Sequence, residues 1–306
     1  MRTLHDGGRP GPVRDERCSC LMESEFPIRY LHVQSFTTSD GVRLNYYIDD
    51  FTDPWTESPT LLLLHPAMGT AKRYYAMVPK FARRYRTVRL DLRGHGNSQI
   101  PDDALPFSLE RLAQDTVELI DHLGLDKTHI VGSSAGGFIT QRTAMNFPER
   151  VLSVSLIGSK PGLKRSQASG WLEQVGKKGL RPFLKETLAL RFPDNVDPDF
   201  VEWFLDEAAK NNVPFIGKFV AYMTTQDFMD EVHKIRCPAL LIAPGDEPIG
   251  SISTYHEMKS KMPDAELIVY EGARHNINDY LPERCADDIL KFLGKRFGVT
   301  RATGTI

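Results

Sequence analysis

Residues 129–137 read His-Ile-Val-Gly-Ser-Ser-Ala-Gly-Gly, and no other stretch limits the fold as strongly. An apolar run of strand length meets a G-x-S-x-G pattern and then opens a segment whose apolar residues recur at helical spacing. The chain must therefore turn sharply from strand to helix at Ser134. The backbone of such a turn is strained. Gly132 and Gly136 leave the room it needs while the Ser134 hydroxyl projects outward. The N-terminus of the helix that follows favours negative charge developing beside it. A bare G-x-S-x-G is as often a chance small-residue turn, so the weight here rests on the strand before it and the helix after it.

Strands and helices alternate around this turn. Residues 60–65, 87–91, 129–133 and 152–157 are short apolar runs bounded by Gly, Pro or Asp, the pattern of parallel strands buried on both faces. Between them, 71–84, 109–123 and 135–146 carry apolar residues three and four apart, with Ser108 and Glu110 near a helix start. Residues 30–37 and 42–49, around Ser39-Asp40-Gly41, predict an antiparallel hairpin at one edge. The alternation resumes with 239–243, 253–261, 265–270 and 286–297. The expected fold is α/β, a doubly wound and mostly parallel sheet.

One interval breaks the pattern. Residues 159–233 read as helices 171–176, 182–190, 198–210 and 215–224 joined by Pro, Asn and Gly, a helical cap inserted between the sixth and seventh strands. The expected organisation is a disordered extension over 1–25, a core over 26–158 and 234–298, the cap over 159–233 and a tail over 299–306. Trp171, Phe183, Trp203, Phe204, Phe219, Tyr222 and Met223 of the cap should divide between its own core and a pocket facing the sheet, because such pockets are mostly apolar.

Composition excludes several classes. The 306 residues suffice for one large core and an insertion. A formal net charge of −2 gives no electrostatic footprint for nucleic acid, and no apolar run could span a bilayer. The first twenty residues lack the apolar stretch of a secretory leader, which predicts a cytoplasmic protein translated from Met1 or Met22. Cys18, Cys20, Cys237 and Cys285 have neither metal-ligand spacing nor the density of a disulfide scaffold, so no metal is expected.

A serine hydroxyl needs a base to become a nucleophile, and the base needs an orienting carboxylate; on a strand–turn–helix the chain order is serine, acid, histidine. His275 follows the last strand and would face the turn from the carboxyl end of the sheet. His5 lies in the extension, His122 and His256 on helices, and His233 before a strand. For the acid, the loop after 239–243 offers the adjacent Asp246 and Glu247, either of which could hold the imidazole.

Two further motifs carry a resemblance. Leu64-His65-Pro66-Ala67-Met68-Gly69 is similar to the H-G-x oxyanion loop of α/β-hydrolase-fold enzymes, and Asp91-Leu92-Arg93-Gly94-His95-Gly96-Asn97-Ser98 to their D-x-R-G-x-G-x-S segment. Over residues 33–297 the chain resembles that superfamily, and within it the enol-lactonase and meta-cleavage-product hydrolase branch. The resemblance implies Glu247 as the acid, since relatives place theirs just before a short x-Ile or x-Val, here Pro248-Ile249. It also implies an oxyanion hole from the backbone N–H groups of Ala67 and Ala135. Pro66, standing where relatives carry Gly, has no N–H, but the family's donor is the next residue. Serine at the turn sets the chain apart from haloalkane dehalogenases and epoxide hydrolases, which carry Asp there. Met68, Trp171 and Trp203 are expected in the substrate pocket.

The expected activity is hydrolysis of a small-molecule ester or lactone through an acyl-enzyme, with no cofactor, nucleic acid or membrane partner and with a homodimer left open. Two alternatives stand beside it. One is a hydrolase that cleaves a carbon–carbon bond of a vinylogous diketone, with Arg165, Arg181 or Arg191 holding a carboxylate. The other is a small-ligand receptor on the same fold.

Overall fold

The computed structural model describes residues 33–164 and 170–298. The extension over 1–25, the tail over 299–306, the start of the first strand, Cys18, Cys20 and Arg165 lie outside the described residues.

Strands β1 (Gln34–Thr37), β2 (Arg43–Asp49), β3 (Thr60–Leu64), β4 (Arg86–Leu90), β5 (Thr128–Ser133), β6 (Val151–Ile157), β7 (Ala239–Pro244) and β8 (Ala265–Tyr270) form one sheet in the order β1-β2-β4-β3-β5-β6-β7-β8. The pairs β1·β2 and β2·β4 are antiparallel and every other pair is parallel. The hairpin closes where Gly41, at φ +84, donates its N–H to Thr38. Alternation along a buried strand feeds two cores: Leu62 and Leu64 of β3 join one apolar cluster, Leu61 and Leu63 the other, on the opposite face. The chain leaves β3 for β4 on one side and returns to β5 on the other. The carboxyl ends of β3 and β5 thus flank the crevice where ligands of open α/β sheets bind.

Helices α1 (Val78–Phe81), α2 (Leu109–His122), α3 (Ala135–Asn146), α8 (Ile252–Lys261), α9 (Ile277–Tyr280) and α10 (Pro282–Phe297) accompany the sheet. Ser108 caps α2 by accepting the Arg111 N–H, and its buried face runs through Leu109, Leu112, Ala113, Thr116 and Ile120. In α3 every residue from Ala135 to Met145 is buried, so this helix lies inside the molecule. Between β6 and β7 the chain forms α4 (Trp171–Lys178), α5 (Leu180–Glu186), α6 (Pro198–Ala209) and α7 (Val213–Met223).

The helix expected over 71–84 does not form as one piece. It is a 3-10 turn, Ala71–Tyr74, followed by the four-residue α1. Pro79 has no N–H to bond the carbonyl of Tyr75, so the ladder from residue 71 breaks there and Pro79 sits in the first turn of α1. Asp91 instead accepts the Ala71 N–H at 2.7 Å and the Tyr74 hydroxyl bonds the Leu64 carbonyl, tying the turn to β3 and β4. The segment expected as a helix over 182–190 begins at Leu180 and ends at Glu186, with a 3-10 turn at Leu188–Leu190. The last helix starts at Pro282, four residues before the apolar pattern suggested, because Pro is at home in a first turn.

Candidate active site

Ser134 lies between β5 and α3 with φ 48 and ψ −115, a conformation that L-residues rarely adopt. Its N–H is bonded to the Ile157 carbonyl of β6, and its own carbonyl accepts from the Ser159 hydroxyl at 2.8 Å. A Cβ at Gly136 would overlap the Leu64 carbonyl, so the missing side chain is what lets α3 rest directly on β3.

His275 and Glu247 converge on this turn. The Ser134 hydroxyl is 3.1 Å from Nε2 of His275, and Nδ1 of His275 is 2.9 Å from Oε2 and 3.1 Å from Oε1 of Glu247. Glu247 is buried and fully satisfied. It accepts the Ile249 N–H at 2.9 Å and a longer bond from the Tyr255 hydroxyl at 3.3 Å. Burial alone would raise its carboxyl, but His275, Lys160 and the Ile249 N–H outweigh that and hold it below the usual glutamate range. Asp246 is exposed, its carboxylate 3.9 Å from Arg274, and it makes no bond to His275. The set can pass the serine proton to an imidazole whose tautomer an ionised carboxylate fixes.

Opposite the histidine, the loop after β3 is held from behind. His65 accepts the Leu92 N–H at Nε2 (3.0 Å), which leaves the ring proton on Nδ1, and that N–H donates to the Pro66 carbonyl at 2.8 Å. Burial, with His95 and Arg73 nearby, keeps His65 well below its ordinary pKa and therefore neutral. Across the trans Pro66–Ala67 peptide, N–H and C=O point in opposite directions, so fixing the Pro66 carbonyl turns the Ala67 N–H away from His65. Ala67, Ala135, Ser134 and His275 line one cavity. Ala135 is the first residue of α3, where a backbone N–H has no carbonyl one turn back to bond.

Met68 and Trp171 also line that cavity, as do Phe204 and Met223. Trp203 does not, contrary to expectation. On α6 successive residues point about 100° apart, as 3.6 residues per turn requires. Phe204 takes the inward position, while Trp203 packs edge-on against Tyr75, ring centroids 5.1 Å apart, in a separate surface groove. Arg181, a candidate carboxylate anchor, is at the surface and paired with Asp206 and Glu202.

Two arginines face the cavity. Arg73, which no sequence motif singles out, is buried and doubly bonded to Asp279; Asp279 accepts from Asn278, and Asn278 accepts from the Ser133 hydroxyl. Arg191 is buried against the rings of Trp171 and Phe183, 5.4 and 5.7 Å from their centroids. Its hydrogen bonds go to the carbonyl and hydroxyl of Thr187, and no carboxylate pairs with it among the described residues. Burial, with the nearby charge of Arg73, brings its guanidinium down to about 10. The N–H of Asn276, next to His275, bonds the Arg191 carbonyl at 3.1 Å and ties this corner to the histidine loop.

Among the described residues no cluster of His, Cys, Asp and Glu is arranged to hold a metal, and no helix is long and apolar enough to cross a membrane.

The family model described as alpha/beta hydrolase fold matches residues 59–213. The chain is similar to the uncharacterized carboxylesterase nap of Bacillus subtilis (strain 168), 26% identical over 80% of this chain and 82% of that protein. It is also similar to 3-oxoadipate enol-lactonase 2 of Acinetobacter baylyi, 26% identical over 79% and 90%. Among solved structures it is similar to a hydrolase from Pseudomonas aeruginosa PA01, with a TM-score of 0.76 and 27% identity over 86% of this chain and 98% of that one.

Proposed function

The chain belongs to the alpha/beta hydrolase fold family, and from that premise we propose that this hydrolase cleaves an ester or lactone of a small organic molecule, with Ser134 as nucleophile. The observation that carries the reading is the continuous bonding from the Ser134 hydroxyl through both nitrogens of His275 to the buried Glu247. His275 takes the serine proton at Nε2 as Oγ attacks the carbonyl carbon. Glu247 stays ionised and stabilises the imidazolium. The Ala67 and Ala135 N–H groups receive the oxyanion, each donor worth about 3 kcal/mol in the transition state. Imidazolium then protonates the departing alkoxide, and a water activated by the same histidine releases the acyl group. The names of the carboxylesterase and enol-lactonase relatives support the substrate class.

Arg191 favours a second reading. A buried cation with no carboxylate partner among the described residues is costly to maintain unless a ligand anion completes it. That suits hydrolysis of a carbon–carbon bond in a vinylogous diketone that bears a carboxylate, and equally an ester or lactone of an acid with a second carboxylate.

The test is to treat the protein and Ser134→Ala with a fluorophosphonate probe and to assay short-chain p-nitrophenyl esters, small lactones and dienoate diketones. Labelling and ester or lactone turnover, both lost in Ser134→Ala, are expected. Turnover of the diketones alone would move the assignment to the second reading, and labelling independent of Ser134 would overturn both.

A further inference from the structure

The chain leaving β6 runs Gly158-Ser159-Lys160, of which the first two meet His275 and Ser134 directly and the third reaches Glu247 through Ile249. Gly158 backs on the His275 carbonyl, so close that a Cβ there would stand 3.0 Å from that oxygen. The Ser159 hydroxyl bonds the Ser134 carbonyl. The Lys160 ammonium, on a residue only 5% exposed, donates to the Ile249 carbonyl at 3.1 Å, and the Ile249 N–H in turn bonds Glu247. Behind the segment, the Gln141 amide of α3 donates to the Lys160 carbonyl. Three consecutive residues that follow one strand thus back the serine, the histidine and the loop that holds the acid.

Lys160 is the member whose presence packing does not explain. Burial lowers its pKa, and the charge of Glu247 opposes that shift. No carboxylate forms a direct ion pair with it among the described residues. A buried ammonium that spends its hydrogen bond on a loop carbonyl costs stability that a methionine of similar length would not. The chain also makes room for it: a Cβ at Gly250 would overlap Nζ, and no positive φ otherwise calls for glycine there. The acid it serves is a glutamate, one methylene longer than aspartate, so its loop must be held back by that extra length for the carboxylate to sit at His275 Nδ1.

We propose that Lys160 is a positioning residue of the hydrolytic site, pinning the 247–250 loop through the Ile249 carbonyl and keeping, by its charge, the Glu247 carboxylate ionised. The inference rests on the function proposed above. The charged and titratable groups facing Glu247 are His275 from the loop after β8, Lys160 from the end of β6 and Tyr255 from α8. Lys160 is a cation that opposes proton uptake by Glu247. Removing it favours the protonated carboxyl, so Glu247 stays protonated, and the site inactive, to higher pH.

The experiment measures the rate of Ser134 labelling by a fluorophosphonate and of p-nitrophenyl acetate turnover against pH, in the parent, Lys160→Met, Lys160→Arg, Gly250→Ala and Ser134→Ala, with thermal midpoints for each. Lys160→Met is expected to lose about tenfold in rate at neutral pH with KM within about twofold, and to move the acid-side midpoint up by about half a unit to one unit. Lys160→Arg, which keeps the charge, should bring the midpoint back. Gly250→Ala should reproduce the shift and add little on top of Lys160→Met, since both act through the same contact. An unchanged midpoint in a folded Lys160→Met, or a rate loss that follows thermal stability and is not rescued by arginine, would overturn the proposal. Labelling that persists in Ser134→Ala would instead remove the function on which it rests.

Discussion

Glu247 reaches Nδ1 of His275 with both carboxylate oxygens, while Asp246, one residue earlier, turns its side chain to solvent. Glu247→Gln keeps the shape but removes the charge that fixes the tautomer. It should lower kcat by about a thousandfold or more, whereas Asp246→Asn should stay within about twofold. Steady-state kinetics on any ester the parent turns over decide this, and equal losses in the two variants would contradict the geometry.

His65 touches no reacting group, yet it holds the Pro66 carbonyl whose peptide presents the Ala67 N–H. His65→Phe should lower kcat about ten- to a hundredfold, up to the worth of one oxyanion donor, with KM little changed because the contact is made only in the transition state. A rise in KM with kcat intact would place His65 in substrate binding instead.

Arg191→Met should discriminate between substrates by charge. For a p-nitrophenyl ester whose acyl chain ends in a carboxylate, KM should rise at least about tenfold, the scale of a lost charge-assisted hydrogen bond, while the neutral ester of equal length should change by no more than about twofold. Equal effects on the two would mean that Arg191 only packs against Trp171 and Phe183.

Trp171→Ala should alter KM for every substrate because Trp171 lines the cavity, whereas Trp203→Ala should leave kcat/KM within about twofold, its ring lying in the outer groove with Tyr75. Parallel kinetics of the two variants would separate the two locations. A large loss in Trp203→Ala would connect the groove to the site.

Acid should destabilise the fold through its histidines. Burial holds His95 and His129 down to about 4 and His65 well below its ordinary value, yet all three regain values near 6.5 when the chain unfolds. Between about pH 6.5 and 4 the unfolded chain therefore binds more protons, so stability falls as pH is lowered through that window, by up to about 3 kcal/mol for His95 or His129. Urea unfolding of the parent and His129→Gln at pH 7.5 and 5 measures this. The substitution should flatten the dependence, and an unchanged slope would show that His129 takes no part.

The strands were legible because each is a short apolar run whose ends carry turn residues, and the strand–turn–helix at Ser134 because its glycines stand where α3 has no room for a side chain. The helix over 71–84 misled because apolar spacing there is genuine, Tyr74, Met77 and Phe81 being buried, while Pro79 cuts the hydrogen-bond ladder that spacing does not record. Trp203 and Phe204 are neighbours of similar character, and only the rotation of α6 about its axis decides which faces inward. Arg73 and Lys160 could not be read at all. Each gains its place from partners 206 and 89 residues away in the chain, Asp279 and the Ile249 carbonyl.

The wall of the cavity is drawn from two kinds of chain segment. Ala67, Met68, Ser134 and His275 stand on loops at the ends of strands, with Ala135 opening α3, whereas Trp171, Leu184, Arg191, Phe204 and Met223 all fall between β6 and β7. The part of the wall that falls between β6 and β7 can therefore drift, or be exchanged by recombination at two crossover points, while the loops that carry Ala67, Ser134 and His275 are inherited unchanged.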